Sequence, residues 1–196
     1  MSKIRFTLNT DAANLVRVAI ENGITHLDGA QMYNNEDTLA QNPCSGETVK
    51  ESLKASLARL GLDYIDLFLI HDPTPATKEG KLAEWWKGLE EVHEEGLAKN
   101  IGVSNFKIED LKIVLETGKI VPAANQAAEP LVKFCQEKGI AIESYGGQTP
   151  LKSRGKPVTT GQVLTKWLLQ KNVIVVTTTS KVERIKEFQD AEDVPT

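Results

Sequence analysis

Cysteine is scarce in this chain: Cys44 and Cys135 are the two in 196 residues. Neither has the close Cys, His or acid neighbours of a metal site, and two distant thiols make no disulfide framework. Reduced thiols in a cytosolic setting are expected. Long apolar runs are missing as well. No stretch approaches the length of a membrane span, and the start, Met1-Ser2-Lys3-Ile4-Arg5-Phe6, has no hydrophobic leader core. Clusters of basic residues are also absent. The net charge is −4, with 23 Lys and Arg spread among 27 acids, which argues against nucleic acid as a partner. There is no Gly-x-Gly-x-x-Gly, which argues against a Rossmann dehydrogenase. No low-complexity tract, linker or repeat beyond a strand–helix period divides the chain. One domain over 1–196 is expected, soluble and cytoplasmic, with neither membrane nor nucleic acid as partner.

What is present is ordinary for a globular protein: 40% hydrophobic and 26% charged residues. A chain near this size buries roughly 70% of its unfolded surface. Strand-like apolar runs over 3–8, 24–28, 64–70, 100–103, 120–124, 140–144 and 173–177 alternate with helical patterns. The helices are expected over 12–22, 47–60, 80–95, 108–117, 130–138, 159–170 and 181–189. Val49, Leu53, Leu57 and Leu60 share one helical face, as do Leu82, Trp85, Trp86, Leu89 and Val92. Gly61 and Gly96 are the expected helix stops, and Pro73 and Pro75 punctuate a loop. This order predicts a parallel sheet with helices outside it.

Several of these strands end in polar groups. Ile24 to Asp28 stops at an acid, and Tyr33 follows five positions on. Leu67-Phe68-Leu69-Ile70 runs into His71, and Ile101-Gly102-Val103 into Ser104-Asn105. The carboxyl ends of the strands are where an α/β barrel keeps its chemistry.

The segments Asp28…Tyr33, Gly61-Leu62-Asp63-Tyr64-Ile65-Asp66-Leu67-Phe68-Leu69-Ile70-His71, Ile101-Gly102-Val103-Ser104-Asn105-Phe106, Asn125-Gln126 and Val176-Thr177-Thr178-Thr179-Ser180 with Arg184 resemble the aldo-keto reductases. These are NADPH-dependent carbonyl reductases on a (β/α)8 barrel, and the segments stand in that family's order. The stretch Val175 to Lys181 looks most like the fungal branch acting on keto compounds and aldehydes. The resemblance implies a TIM-type (β/α)8 barrel, here shortened to about seven parallel strands, since a full barrel takes about 250 residues. It implies NADP as cofactor and a small aldehyde or ketone as substrate. By the same resemblance Tyr33 is the proton donor, Asp28 the charge-relay carboxylate and His71 the group that orients the carbonyl. Ser104, Asn105 and Gln126 would bind the nicotinamide carboxamide, and Tyr145 would stack on its ring. Thr178, Thr179 and Arg184 would hold the 2′-phosphate, where a guanidinium favours NADP over NAD.

The chain departs from the family in places. The family lysine belongs on a strand between the Tyr and His segments, yet only 38 positions separate Tyr33 from His71 and no apolar strand lies between them. Lys50 and Lys54 are the only lysines in that interval. Lys54 lies opposite the apolar helix face and Lys50 at its edge, which leaves Lys50 as the one possible substitute. A tyrosine with its ordinary pKa of about 10 is a poor acid unless a nearby cation lowers it. Weak turnover with retained cofactor binding is therefore expected. Gly146-Gly147-Gln148-Thr149-Pro150-Leu151 replaces a Ser-Pro-Leu, and Phe188 stands where a polar adenine-binding residue is usual. Lys152, Arg154 and Lys156 form a basic loop that could reach a pyrophosphate or simply be solvated. Bland alternatives remain open: Asp28 as a turn cap, Tyr33 and His71 as loop residues, Arg184 as a solvent-facing arginine. At the level of function, a non-catalytic NADP-binding descendant and an interaction protein self-associating through an open sheet edge stand as rivals.

Overall fold

The structure, a computed structural model, describes residues 4–7, 20–21, 24, 27–28, 48–127, 131–145, 159–177, 179 and 181–193. Seven parallel strands make one sheet: β1 (Ile4–Thr7), β2 (Leu27–Asp28), β3 (Phe68–Ile70), β4 (Ile101–Ser104), β5 (Ala124–Ala127), β6 (Ala141–Tyr145) and β7 (Ile174–Thr177). Their order in the sheet is β2-β1-β7-β6-β5-β4-β3. The first strand thus pairs with the last, Ile4 opposite Val175 and Phe6 opposite Thr177. Read around, the strands follow chain order, as in a barrel. Among the described residues the ladder breaks at one place only, between β2 and β3. The fold is a TIM-type barrel short of one strand, and the break lies in the interval where the sequence has no apolar run.

The helices follow their strands. They are α1 (Val49–Leu60), α2 (Thr74–Lys78), α3 (Leu82–Glu94), α4 (Ile108–Thr117), α5 (Val132–Glu137), α6 (Thr160–Gln170) and α7 (Val182–Gln189). Local chemistry sets their ends. Thr48 and Glu51 form a reciprocal capping box at the start of α1, and these bonds with Thr48 hold the Glu51 carboxyl below its usual range. Gly61, at φ 65°, closes the same helix in the left-handed conformation. Val49, Leu53 and Leu57 bury one face of α1 against α3. Gly88 allows that approach, since a Cβ there would stand 3.0 Å from Val49 Cβ. The core lies between the helices and the outer face of the sheet, around Trp86, Leu89, Val92, Ile101, Val103 and Leu111.

Trp85 packs against the core half-buried, beside the fully buried Trp86. Three expectations need correction. Leu60 does not join the buried face of α1; it is 43% exposed, at the last residue of the helix. Residues 73–78 are not a plain loop: Asp72 Oδ1 accepts from Thr74 N at 2.8 Å, and the prolines fall in the first turn of α2, where a missing N–H costs nothing. Finally, the strand expected at 120–124 begins only at Ala124. The buried Glu90 carboxylate accepts from Lys119 N at 2.5 Å and Ile120 N at 2.8 Å, so those N–H groups serve α3 and not a ladder. The shift matters because it brings Asn125 and Gln126 inside the strand.

That carboxylate, itself buried, satisfies two backbone donors at once. Glu90→Ala should lower stability by about 2–3 kcal/mol in urea denaturation followed by circular dichroism. A loss under about 0.5 kcal/mol would show that water replaces the carboxylate.

Candidate functional site

Because every strand is parallel, the residues at their carboxyl ends share one end of the sheet. Asp28 ends β2, His71 follows β3, Ser104 ends β4 and Asn105 follows it. Gln126 is the penultimate residue of β5, Tyr145 ends β6, and Thr179 and Arg184 follow β7. Side chains alternate across the sheet. Asn125 faces the helices, where its Nδ2 donates to the Phe106 carbonyl at 3.0 Å. Burial pushes the thiol of Cys135 on α5 up, so Cys135 is an inert core cysteine. Gln126 therefore faces the inside, and so do its ladder neighbours Ser104 and Glu143.

One run of hydrogen bonds crosses four neighbouring strands. Asn105 Nδ2 donates to the His71 carbonyl at 2.9 Å and to Ser104 Oγ at 3.1 Å. Ser104 Oγ donates to the Gln126 carbonyl at 2.9 Å. Gln126 Nε2 donates to Glu143 Oε2 at 3.3 Å, and Tyr145 donates its hydroxyl to Asn105 Oδ1 at 2.7 Å. Asn105 is the hub. It sits at φ 60°, an uncommon conformation outside glycine that Asn tolerates better than most, and its own N–H reaches the Gln126 carbonyl at 2.8 Å. Such backbone strain clusters at functional sites.

Of the residues expected in the site, the structure links His71, Ser104, Asn105, Gln126 and Tyr145 directly. Ser104 and Gln126 are buried, His71 and Asn105 half-buried, and Tyr145 is 37% exposed with a ring open to solvent. Asp28 is buried at the end of β2, with Thr7 of β1 as its ladder neighbour. Thr179 is buried and its hydroxyl accepts from Lys181 N at 3.1 Å, shaping the turn into α7; Arg184 is exposed on that helix. Tyr33, Thr178 and the basic loop with Lys152, Arg154 and Lys156 lie outside the described residues. Phe188 is buried at 3% exposure and belongs to the packing under α7. The Lys50 ammonium pairs with Glu95, just past the end of α3, on the helical layer. Lys54 is exposed on α1.

Glu143 is a site residue that the sequence alone did not bring forward. It is 1% exposed, in the middle of β6 beside Gln126. An acid between Ile142 and the strand's end was the available signal, since a charge inside an apolar strand is rarely left without a partner.

The chain was compared with known proteins. Residues 40–147 match the model of the Aldo/keto reductase family. The NAD/NADP-dependent indole-3-acetaldehyde reductase of Schizosaccharomyces pombe is 37% identical over 221 residues, taking in 92% of this chain and 78% of the relative. About 40 residues inside that match thus have no counterpart here, roughly the size of one strand–helix unit. The NADPH-dependent alpha-keto amide reductase of Saccharomyces cerevisiae is 29% identical, over 86% of this chain and 70% of its own. The aldose reductase of Schistosoma japonicum superposes with a TM-score of 0.84 at 25% identity, over 100% of this chain and 85% of that one.

Asn105 carries both the bonds and the strain, and two substitutions separate them. Asn105→Ala should cost about 2–3 kcal/mol, while Asn105→Gly, which relaxes at φ 60°, should cost about 1 kcal/mol less. Urea midpoints measure both; equal losses would mean that the φ strain is negligible.

Proposed function

The chain belongs to the aldo/keto reductase family, and on that premise we propose that it binds NADP at the carboxyl end of the sheet and reduces aldehyde or ketone carbonyls slowly. The observation that carries this reading is the bonded run from His71 through Asn105 and Ser104 to Gln126. Its chemistry suits an amide group. Both N–H bonds of the Asn105 amide are spent internally, so Asn105 offers its Oδ1 oxygen, which the Tyr145 hydroxyl now occupies. When Tyr145 turns away, that acceptor is free for a nicotinamide –NH2 and the phenol ring is free to cover the base. Arg184 and Thr179, on the turn and helix after β7, would hold the adenosine 2′-phosphate, and the exposed guanidinium suits a phosphate bidentately.

The bound cofactor would supply a hydride. The chain's own part is to hold the substrate oxygen and deliver a proton to it, His71 orienting the oxygen and Tyr33 acting as the acid. Of the lysines between Tyr33 and His71, Lys50 is paired with Glu95 and Lys54 is in solvent, so neither is read as the ammonium that would make a tyrosine a better acid. A positioned general acid is worth roughly 100- to 10,000-fold in rate, and most of that factor is expected to be lost. The buried Asp28 then stands as a remnant of the relay. The rival that this same feature favours is a protein that binds NADP without turning over.

Two measurements separate these possibilities. Purified folded protein should quench its tryptophan fluorescence with NADPH at micromolar concentration and more weakly with NADH; no binding would remove the cofactor reading altogether. In an aldehyde-reduction assay the wild type should be slow and Tyr33→Phe should lower its rate by less than about tenfold. A brisk wild type abolished by Tyr33→Phe would show that the proton donor works without the lysine.

A further inference from the structure

A primary amide side chain is ambiguous: it can offer a ligand either its oxygen or its –NH2. A buried neighbour that fixes which end points where decides what the site will accept. Gln126 has such a neighbour. Its Nε2 donates to Glu143 Oε2 at 3.3 Å, and the two residues are ladder partners on β5 and β6, 5% and 1% exposed. A carboxylate only accepts, so the –NH2 of Gln126 is held toward Glu143 and its Oε1 is left to face elsewhere. The bond is long, so its consequence lies in orientation more than in energy.

Resting on the cofactor reading above, we infer that Glu143 is a positioning residue that fixes the polarity of Gln126, and through it makes the site select a carboxamide over a carboxylate. The other amide of the site is set the same way. Asn105 spends its –NH2 on the His71 carbonyl and Ser104 Oγ and presents Oδ1. The Ser104 hydroxyl spends its proton on the Gln126 carbonyl. Asn105 and Gln126 therefore both present an amide oxygen. A ligand –NH2 finds acceptors there. A ligand carboxylate in the same place meets acceptor oxygens. Such a mismatch discriminates far more strongly than a missing methylene does, because polar groups are left facing one another unpaired.

The test compares NADP with nicotinic acid adenine dinucleotide phosphate, which differs only in carrying a carboxylate for the carboxamide. Affinities come from tryptophan quenching or calorimetry and need no turnover. The wild type should prefer NADP by at least about tenfold. Glu143→Gln keeps the shape, but an amide facing an amide can pair in either sense, so the preference should fall to within about threefold. Gln126→Ala, which removes the oriented amide itself, should fall to the same level and stands in should Glu143→Gln fail to fold. Equal affinity of the wild type for both dinucleotides would overturn the inference and leave the cofactor reading intact. An unchanged preference in Glu143→Gln, even with a lower melting temperature, would make Glu143 merely structural. Binding of neither dinucleotide would instead remove the cofactor reading and this inference with it.

Discussion

The pairing of β1 with β7 is the constraint on which the rest of the structure depends. It joins residues 4–7 to residues 174–177, the two ends of the sheet-forming chain. Without that ladder β1 and β2 would be a separate pair, detached from the other five strands. With it, the strands keep the circular order of a barrel, and the break falls between β2 and β3. Among the described residues the gap in the circle is therefore internal, and the match to the fission-yeast relative likewise leaves about 40 residues of that match without a counterpart here. A barrel interior is normally filled by layers of side chains from all its strands. Here the small Gly102 and Ala124 stand on the inner face, and a Cβ on Gly102 would meet Leu69 Cδ2 at 2.8 Å, so the close approach there requires glycine.

The parallel order also explains why polar chemistry gathers at one end. Four strands place His71, Ser104 with Asn105, Gln126 and Tyr145 within hydrogen-bond reach of one another. Each bond helps to fix the ends of two strands. The strain of Asn105 at φ 60° is offset by three side-chain bonds and one backbone bond. A site built this way depends on strand registers more than on loops, and registers are strongly specified wherever one face of a strand is buried.

Much of this was legible in the chain. The helix over 108–117 follows from the strand–helix alternation, and the structure places it at Ile108–Thr117. The polar endings of 67–71 and 101–105 could be read because an apolar run that halts at His or Ser-Asn marks the end of a buried strand, where polar side chains meet solvent or a ligand. The strand at Ala124–Ala127 could not. Its residues, Ala-Asn-Gln-Ala, have poor strand propensity, while Ile120-Val121 nearby look better and lead the eye astray. What decides the matter is the Glu90 carboxylate, 30 positions away in sequence, which takes the N–H groups of Lys119 and Ile120. Glu143 was hidden for the opposite reason: a single acid in a short apolar strand carries no pattern, and its partner Gln126 is adjacent only in the sheet.

The two halves of the proposed site are drawn from different parts of the chain, and this makes partial loss of function physically coherent. The groups read as holding a dinucleotide come from β4 to β7 and the turn beyond, a continuous block of paired strands far from the break. The groups read as moving a proton come from the break itself: Asp28 on β2, Tyr33 after it and His71 just past β3. The break between β2 and β3 therefore adjoins the residues read as the proton half and leaves the paired block of β4 to β7 whole. Binding of a dinucleotide depends on registers that the ladders from β4 to β7 maintain independently of the break. The break and the ladders from β4 to β7 thus bear on different halves of the proposed site.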